Sequence, residues 1–186
     1  MRKLTRSNEH FKKARTKLPL GVASNFRYWG DKETIYIDHG KGGRIWDIDG
    51  NEYIDCAGGF GATFFGHAPD FILDVLHRQL DETLDYAPQS KIAGPAAKLV
   101  CEMTGMDRAS FCNTGSEAVL AAMRVARTVT GNDLIITFSG DYHGMFDEVL
   151  VKTKVVNGKR KNMPAAPGIP ASASHNLLVL EYGDPA

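Results

Sequence analysis

Residues 109–144, ASFCNTGSEAVLAAMRVARTVTGNDLIITFSGDYHG, decide the fold. Ala109 to Cys112 reads as a short buried strand, Asn113-Thr114-Gly115-Ser116 as a turn, Glu117 to about Thr128 as a helix, and Leu134 to Phe138 as a second strand. A helix joining two short apolar strands is a βαβ unit, whose strands are expected to lie parallel in a right-handed crossover. The larger part of the chain is therefore expected to be α/β. The turn sits where unpaired N–H groups and the helix dipole make an anion site, for which phosphate is the natural ligand. Thr114 and Ser116 add hydroxyl donors, and Gly115 has no side chain to block a close approach. Glu117 stands in the first turn, where it can cap the helix or complement its dipole. A plain cap by Thr114 or Ser116 fits the same residues, and spacing alone leaves both readings open.

Asp141-Tyr142-His143-Gly144 follows the second strand and Gly140, at the C-terminal edge where open α/β sheets bind ligands. Tyr142 can stack on a planar ring, and His143 can support it or donate to it. A packed turn with a satisfied imidazole is the alternative. The arrival of two loops at one edge favours a site.

Outward from this unit, Ser7 is expected to cap a helix that runs to about Lys17 and is ended by Pro19 and Gly21. The extended stretch Gly21 to Arg27 holds Ser24 and Arg27, and a guanidinium there can clamp a carboxylate in a bidentate way or simply be solvated. Strands are expected at Thr34 to Asp38, Gly43 to Asp47 and Glu52 to Cys56, with a turn at Asp49-Gly50-Asn51, giving a small antiparallel meander. Glycines at 58, 59, 61 and 66 then interrupt regular structure around Phe60, Phe64 and Phe65, and Phe60 either lines a pocket or anchors the loop. Apolar spacing predicts helices over Asp70 to Thr83 and Ser90 to Thr104. Lysines and prolines between Lys152 and Ser174 read as an exposed loop, and Leu177 to Leu180 as one more buried strand. Two or three strands of a parallel sheet leave apolar surface uncovered, so the chain reads as part of a longer protein, with poor solubility or obligate association expected alone.

Lysine plus arginine and aspartate plus glutamate both total 22 among 186 residues. With a formal charge of zero, no overall basic field recruits nucleic acid or an anionic membrane, which points to a small-molecule or protein partner. Cys56, Cys101 and Cys112 lie far apart in apolar stretches, without metal spacing, and are expected as reduced core thiols. The basic N-terminus lacks an apolar signal core, and no run approaches the ~20 apolar residues of a membrane span. A cytoplasmic location is the default expectation.

The segments LPLGVASNFR, GGRIWDIDGNEYIDCAGGFGATFFGH, FCNTGSEAVLAAMRVARTVTGNDLIITFSGDYHG and the tail LLVLEYGDP together resemble the class III aminotransferases. The likeness is closest to their glutamate-1-semialdehyde 2,1-aminomutase branch and runs over nearly the whole chain in the family's order. It implies a partial type I fold of the transferases that use pyridoxal 5'-phosphate (PLP), with an N-terminal arm and small antiparallel β segment at 1–66 and an incomplete PLP-binding α/β large domain at 67–186. It also implies a soluble PLP enzyme, a homodimer when complete, that moves an amino group on a small amino or keto substrate.

By the same resemblance Thr114, Gly115 and Ser116 hold the cofactor phosphate, Tyr142 stacks on its ring and His143 lies beside it. Ser24 and Arg27 match positions that bind a substrate carboxylate, and Phe60 an aromatic residue of the substrate pocket. None of Lys152, Lys154, Lys159 or Lys161 matches the family's catalytic lysine motif, so no catalytic residue is assigned and the chain alone is expected to be inactive. The order NTGSEA and the residues Phe146-Asp147-Glu148 depart from the aminomutase pattern toward aminotransferase domains of hybrid peptide and polyketide synthases. A non-catalytic phosphate-ligand module is the competing class. A dinucleotide site is disfavoured, because the turn lacks GxGxxG and is too short for a Walker loop.

Overall fold

Helix α1, Thr5–Ala14, packs its buried Phe11 inward and is capped from a distance. Ser7 lies inside the helix instead of capping it, and Leu4 at the N-cap offers no side-chain bond. The first-turn N–H groups of Arg6 and Ser7 donate to the Asp49 carboxylate at 2.7 and 2.8 Å. Asp49 comes from the turn of a three-stranded antiparallel meander, so a tertiary acceptor does the work that local sequence seemed to assign to serine. Burial opposes its ionisation, but the bonds from Ser7 and Arg6 outweigh this and lower its pKa.

The computed structural model describes residues 2–82 and 89–183, and of Lys159 only the backbone. It divides into two compact units, Met1–Gln89 and Ser90–Ala186. In the first, strands β1 (Ile37–Lys41), β2 (Arg44–Asp47) and β3 (Glu52–Ile54) pair in the order β1-β2-β3, both pairs antiparallel. This is the expected meander, with its first strand starting three residues later than the β-forming run suggested. Asp47, 2% exposed, organises the β2–β3 turn by accepting from the backbone N–H of Asp49 and Asn51, the Asn51 amide and the Tyr53 hydroxyl. The Asn51 amide also donates to the Lys3 carbonyl, which ties the arm to the same turn. Helix α2, Asp70–Glu82, is the one expected from Asp70. Its anticipated last residue, Thr83, lies outside the described residues.

In the second unit, helix α3 (Ala93–Thr104) ends at Gly105 and helix α4 (Gly115–Thr130) at Gly131, both glycines in the left-handed cap conformation. Strands β4 (Ile135–Phe138) and β7 (Leu177–Leu180) pair in parallel from Ile135 with Leu177 to Phe138 with Leu180. Leu177 and Val179, 3% and 7% exposed, supply most of this unit's core. Two expectations fail here. Ala109 to Cys112 forms no strand, because a strand needs a neighbour to pair with and none lies beside it among the described residues; the parallel pairing falls to β4 and β7.

Nor is Lys152 to Ser174 a loop. Val151–Val156 (β5) and Lys159–Pro164 (β6) form an antiparallel hairpin across Asn157-Gly158. Both turn residues have positive φ, +53° and +73°, as a two-residue hairpin turn requires, and Asn-Gly is its strongest sequence signal. The many lysines concealed the alternation of Val151, Thr153 and Val155.

Apolar faces of the helices stay bare: Met123 is the one buried residue of α4, and Val129 is 79% exposed. The cysteines follow suit. Cys56 and Cys112 are exposed and Cys101 half-buried, all three free, so the expected core placement of these thiols is not met. No helix of the described residues is long and apolar enough to cross a membrane.

Candidate cofactor and substrate sites

Thr114 is the N-cap of α4, and its hydroxyl accepts from the Glu117 N–H at 3.2 Å while Glu117 Oε2 accepts from the Thr114 N–H at 2.8 Å. This reciprocal capping box needs a hydroxyl at the cap and a carboxylate three residues on, which the sequence supplies. The plain-cap reading therefore holds for Thr114, whose hydroxyl also lies 3.3 Å from the Glu117 carboxylate and is spent locally. The next two positions are different. Among the described residues the N–H groups of Gly115 and Ser116 have no acceptor, and a side chain added at Gly115 would meet open space.

Ser116 is also where the second loop arrives. Its Oγ accepts from the Met145 N–H at 3.2 Å, which leaves its own hydroxyl proton free to donate. Gly144, buried and at φ +127°, lies so close that a Cβ there would stand 2.6 Å from Ser116 Oγ. The turn after Cys112 and the Tyr142-His143-Gly144 loop thus meet in one unit, as the two-loop expectation requires. Met145 is the contact that residue types did not announce, since it acts through its backbone.

Tyr142 precedes this contact by two residues, 67% exposed and without a ring contact among the described residues. His143 turns the other way in effect: its Nε2 is buried without a hydrogen-bond partner among the described residues. It borders a cavity walled by Thr137–Asp141 on one side and by Val149 and the Val151–Lys154 segment of β5 on the other. An orphaned imidazole nitrogen is costly to bury unless something completes it.

In the first unit, Ser24 and Arg27 bracket a single 3₁₀ turn, Asn25–Arg27, closed by the Arg27 N–H on the Ser24 carbonyl at 2.9 Å. Ser24 is half-buried; Arg27 is exposed and has no acid paired with it among the described residues. Phe60, 88% exposed and at φ +58°, comes back to this turn through an edge-to-face contact of its ring with Phe26 at 6.1 Å. The structure therefore brings Phe60 to the turn that Ser24 and Arg27 bracket, through Phe26. Phe26 escaped sequence reading because its ring partner, Phe60, lies thirty-four residues away and no local pattern pairs them.

The loop that carries Phe60 is pinned at its base by His67 Nε2 and Asp55 Oδ2, 2.7 Å apart, and by the Ala57 and Gly58 N–H groups on Asp55 Oδ1. The His67 bond, followed by those of Gly58 and Ala57, holds Asp55 below the usual carboxylate range. Among the described residues no cluster of histidine, cysteine or carboxylate side chains is arranged to hold a metal ion.

Comparison with known proteins gives these features a setting. The chain is 37% identical over 183 residues to the glutamate-1-semialdehyde 2,1-aminomutase of Methanosphaera stadtmanae, covering 98% of this chain and 42% of that protein. An omega-transaminase from Sphaerobacter thermophilus superimposes with a TM-score of 0.85 at 29% identity, over 95% of this chain and 41% of its own. The FumI protein of a Sphingopyxis species, whose structure holds PLP, gives 0.82 at 27% identity, over 97% and 41%. The chain thus spans about two fifths of the length of the relatives it matches. The sequence pattern of the aminotransferase class-III family matches residues 27–183, well over half of the chain, and the protein belongs to that family.

Proposed function

We propose that the chain carries the phosphate- and ring-binding part of a PLP-dependent amino-transfer enzyme. The observation that carries this reading is the convergence of the free N–H groups of Gly115 and Ser116 with the Ser116 hydroxyl at the start of α4. Three donors match three phosphate oxygens, and the dipole of a sixteen-residue helix favours the charge. Thr114 serves by fixing the helix start through its capping box. Tyr142, exposed at the adjoining loop, covers the ring, and His143 flanks it. Bound there, PLP supplies the electron-accepting ring on which an amino group is carried between carbon skeletons.

Ser24 and the unpaired Arg27 guanidinium orient a substrate carboxylate, and Phe60 with Phe26 excludes water from its apolar side. A carboxylate-bearing amino or keto compound is the substrate class these groups fit. Aminomutase and transaminase relatives support amino-group transfer, on one skeleton or between two. In this reading residues 1–66 form the arm and antiparallel segment, residues 67–186 belong to the cofactor domain, and the complete protein is a cytoplasmic homodimer.

The reading is tested by titrating the chain with PLP and with pyridoxal, which lacks the phosphate. PLP is expected to bind at least about tenfold more tightly, because three donors of the phosphate site are idle with pyridoxal. Tyr142→Ala is expected to weaken both ligands, and Ser116→Ala only PLP. Equal affinities for the two ligands would remove the phosphate site from the account.

A further inference from the structure

The β5–β6 hairpin places like charges face to face. In its register Lys154 stands opposite Lys161 and Lys152 opposite Met163. Side chains two residues apart share a face, so Lys152, Lys154, Lys161 and Met163 stand on one side of the ribbon. The other side carries Thr153 and Asn162, hydrogen-bonded to each other at 2.9 Å, and the Asn162 amide donates on to the Leu177 carbonyl of β7. That bond turns the Thr153–Asn162 side toward the core strand and leaves the three exposed lysines on the free side.

Directly opposed like charges destabilise a hairpin, and one glutamate at either position would turn repulsion into attraction. None of Lys152, Lys154 and Lys161 has an acidic partner among the described residues. Met163, 37% exposed, and Val156, 46% exposed, add an apolar margin to the same face.

We infer that this face of the hairpin docks an acidic amphipathic protein segment, its carboxylates set between the lysine ammonium groups and its apolar side chains against Met163 and Val156. Charge complementarity selects the partner's sign, and the apolar margin selects a protein. A nucleic acid fits less well: the chain has zero formal charge, and no aromatic side chain stands on this face to stack a base. The inference rests on observations separate from those at Ser116 and Tyr142, although Lys152 and Lys154 also border the His143 cavity.

The test is fluorescence anisotropy of the whole chain with a synthetic helical peptide bearing a glutamate face and a leucine face. The same peptide with every glutamate replaced by glutamine and a single-stranded oligothymidine serve as the other arms. The glutamate peptide is expected to bind, more weakly as salt rises, and K154E/K161E to weaken it at least about tenfold. K154E alone sets a glutamate opposite Lys161, so it is expected to raise the thermal midpoint while lowering affinity, a split that misfolding cannot produce. Failure of the glutamate peptide to bind, equal binding of the glutamine peptide, unchanged affinity in K154E/K161E, or preference for the oligothymidine would each overturn the inference.

Discussion

Gly144→Ala is expected to destabilise the second unit by about 2–4 kcal/mol, from overpacking and from backbone strain together, and to abolish measurable PLP binding by the chain. The added Cβ would lie 2.6 Å from Ser116 Oγ, 2.9 Å from Ser116 Cβ and 3.0 Å from Ser116 Cα, with φ at +127° where an L side chain is already strained. The last of these neighbours is backbone at the start of α4, so no rotamer change relieves it. Either the Tyr142 loop must leave Ser116, breaking the Met145 N–H bond to its hydroxyl, or the helix start must move. Both outcomes separate the donors proposed for the phosphate from the side chain proposed to cover the ring. The companion variant Gly144→Ala/Ser116→Gly removes the contacts to Oγ and Cβ and is expected to recover part of the stability without recovering PLP affinity. Thermal unfolding and a PLP titration on the same samples check this; full PLP affinity in Gly144→Ala would show that the two loops need not touch.

Asp47→Ala is expected to cost about 3 kcal/mol in the first unit, in the range seen when a buried polar network loses its acceptor. The substitution strands two backbone N–H groups, the Asn51 amide and the Tyr53 hydroxyl in a turn where Asp47 is 2% exposed. Asp47→Asn keeps the shape and one acceptor oxygen, and should lose about half as much. The same network has a pH signature at each end. Burial raises the Asp47 pKa, but the bonds from Asn51, Tyr53 and Asp49 prevail and lower it.

A carboxyl with a lowered folded pKa contributes stability above its unfolded pKa and loses it as pH falls through the folded value, so acid loosens the turn. Tyr53 is pushed up to about 12, first by burial and then by Asp47. Its contribution is complete below the unfolded tyrosine value near ~10 and fades as pH rises toward 12. Urea melts followed by circular dichroism across pH should show both flanks in the wild type and shallower ones in Asp47→Ala, where the burial of Tyr53 and the lowered carboxyls of Asp49 and Asp55 keep a remainder.

How much of this was legible in the sequence depends on whether the signal was local. The meander was readable because its β-formers and the Asp49-Gly50-Asn51 turn are contiguous, and α4 because Thr114 and Glu117 spell a capping box three residues apart. The absence of a strand at Ala109–Cys112 was not, since strand status depends on a neighbour that periodicity does not reveal. The β5–β6 hairpin was announced by Asn157-Gly158, a signal masked by the lysine-rich composition around it. Ser7 looked like a cap by residue type, yet the acceptor came from Asp49, forty-two residues away. Within the candidate site, residue chemistry pointed to Ser116, Tyr142 and His143, while the contact that joins their loops runs through the Met145 backbone, which no residue type encodes.

The most direct measurement is a nitrogen-15 and ring-proton chemical-shift titration of the whole chain with PLP. Phosphate gripped at the start of α4 should shift the Gly115 and Ser116 amides downfield, and an overlying ring should shift the Tyr142 side chain in the same titration with the same midpoint. Shifts that leave Gly115 and Ser116 unmoved, or that move them without Tyr142, would contradict the account.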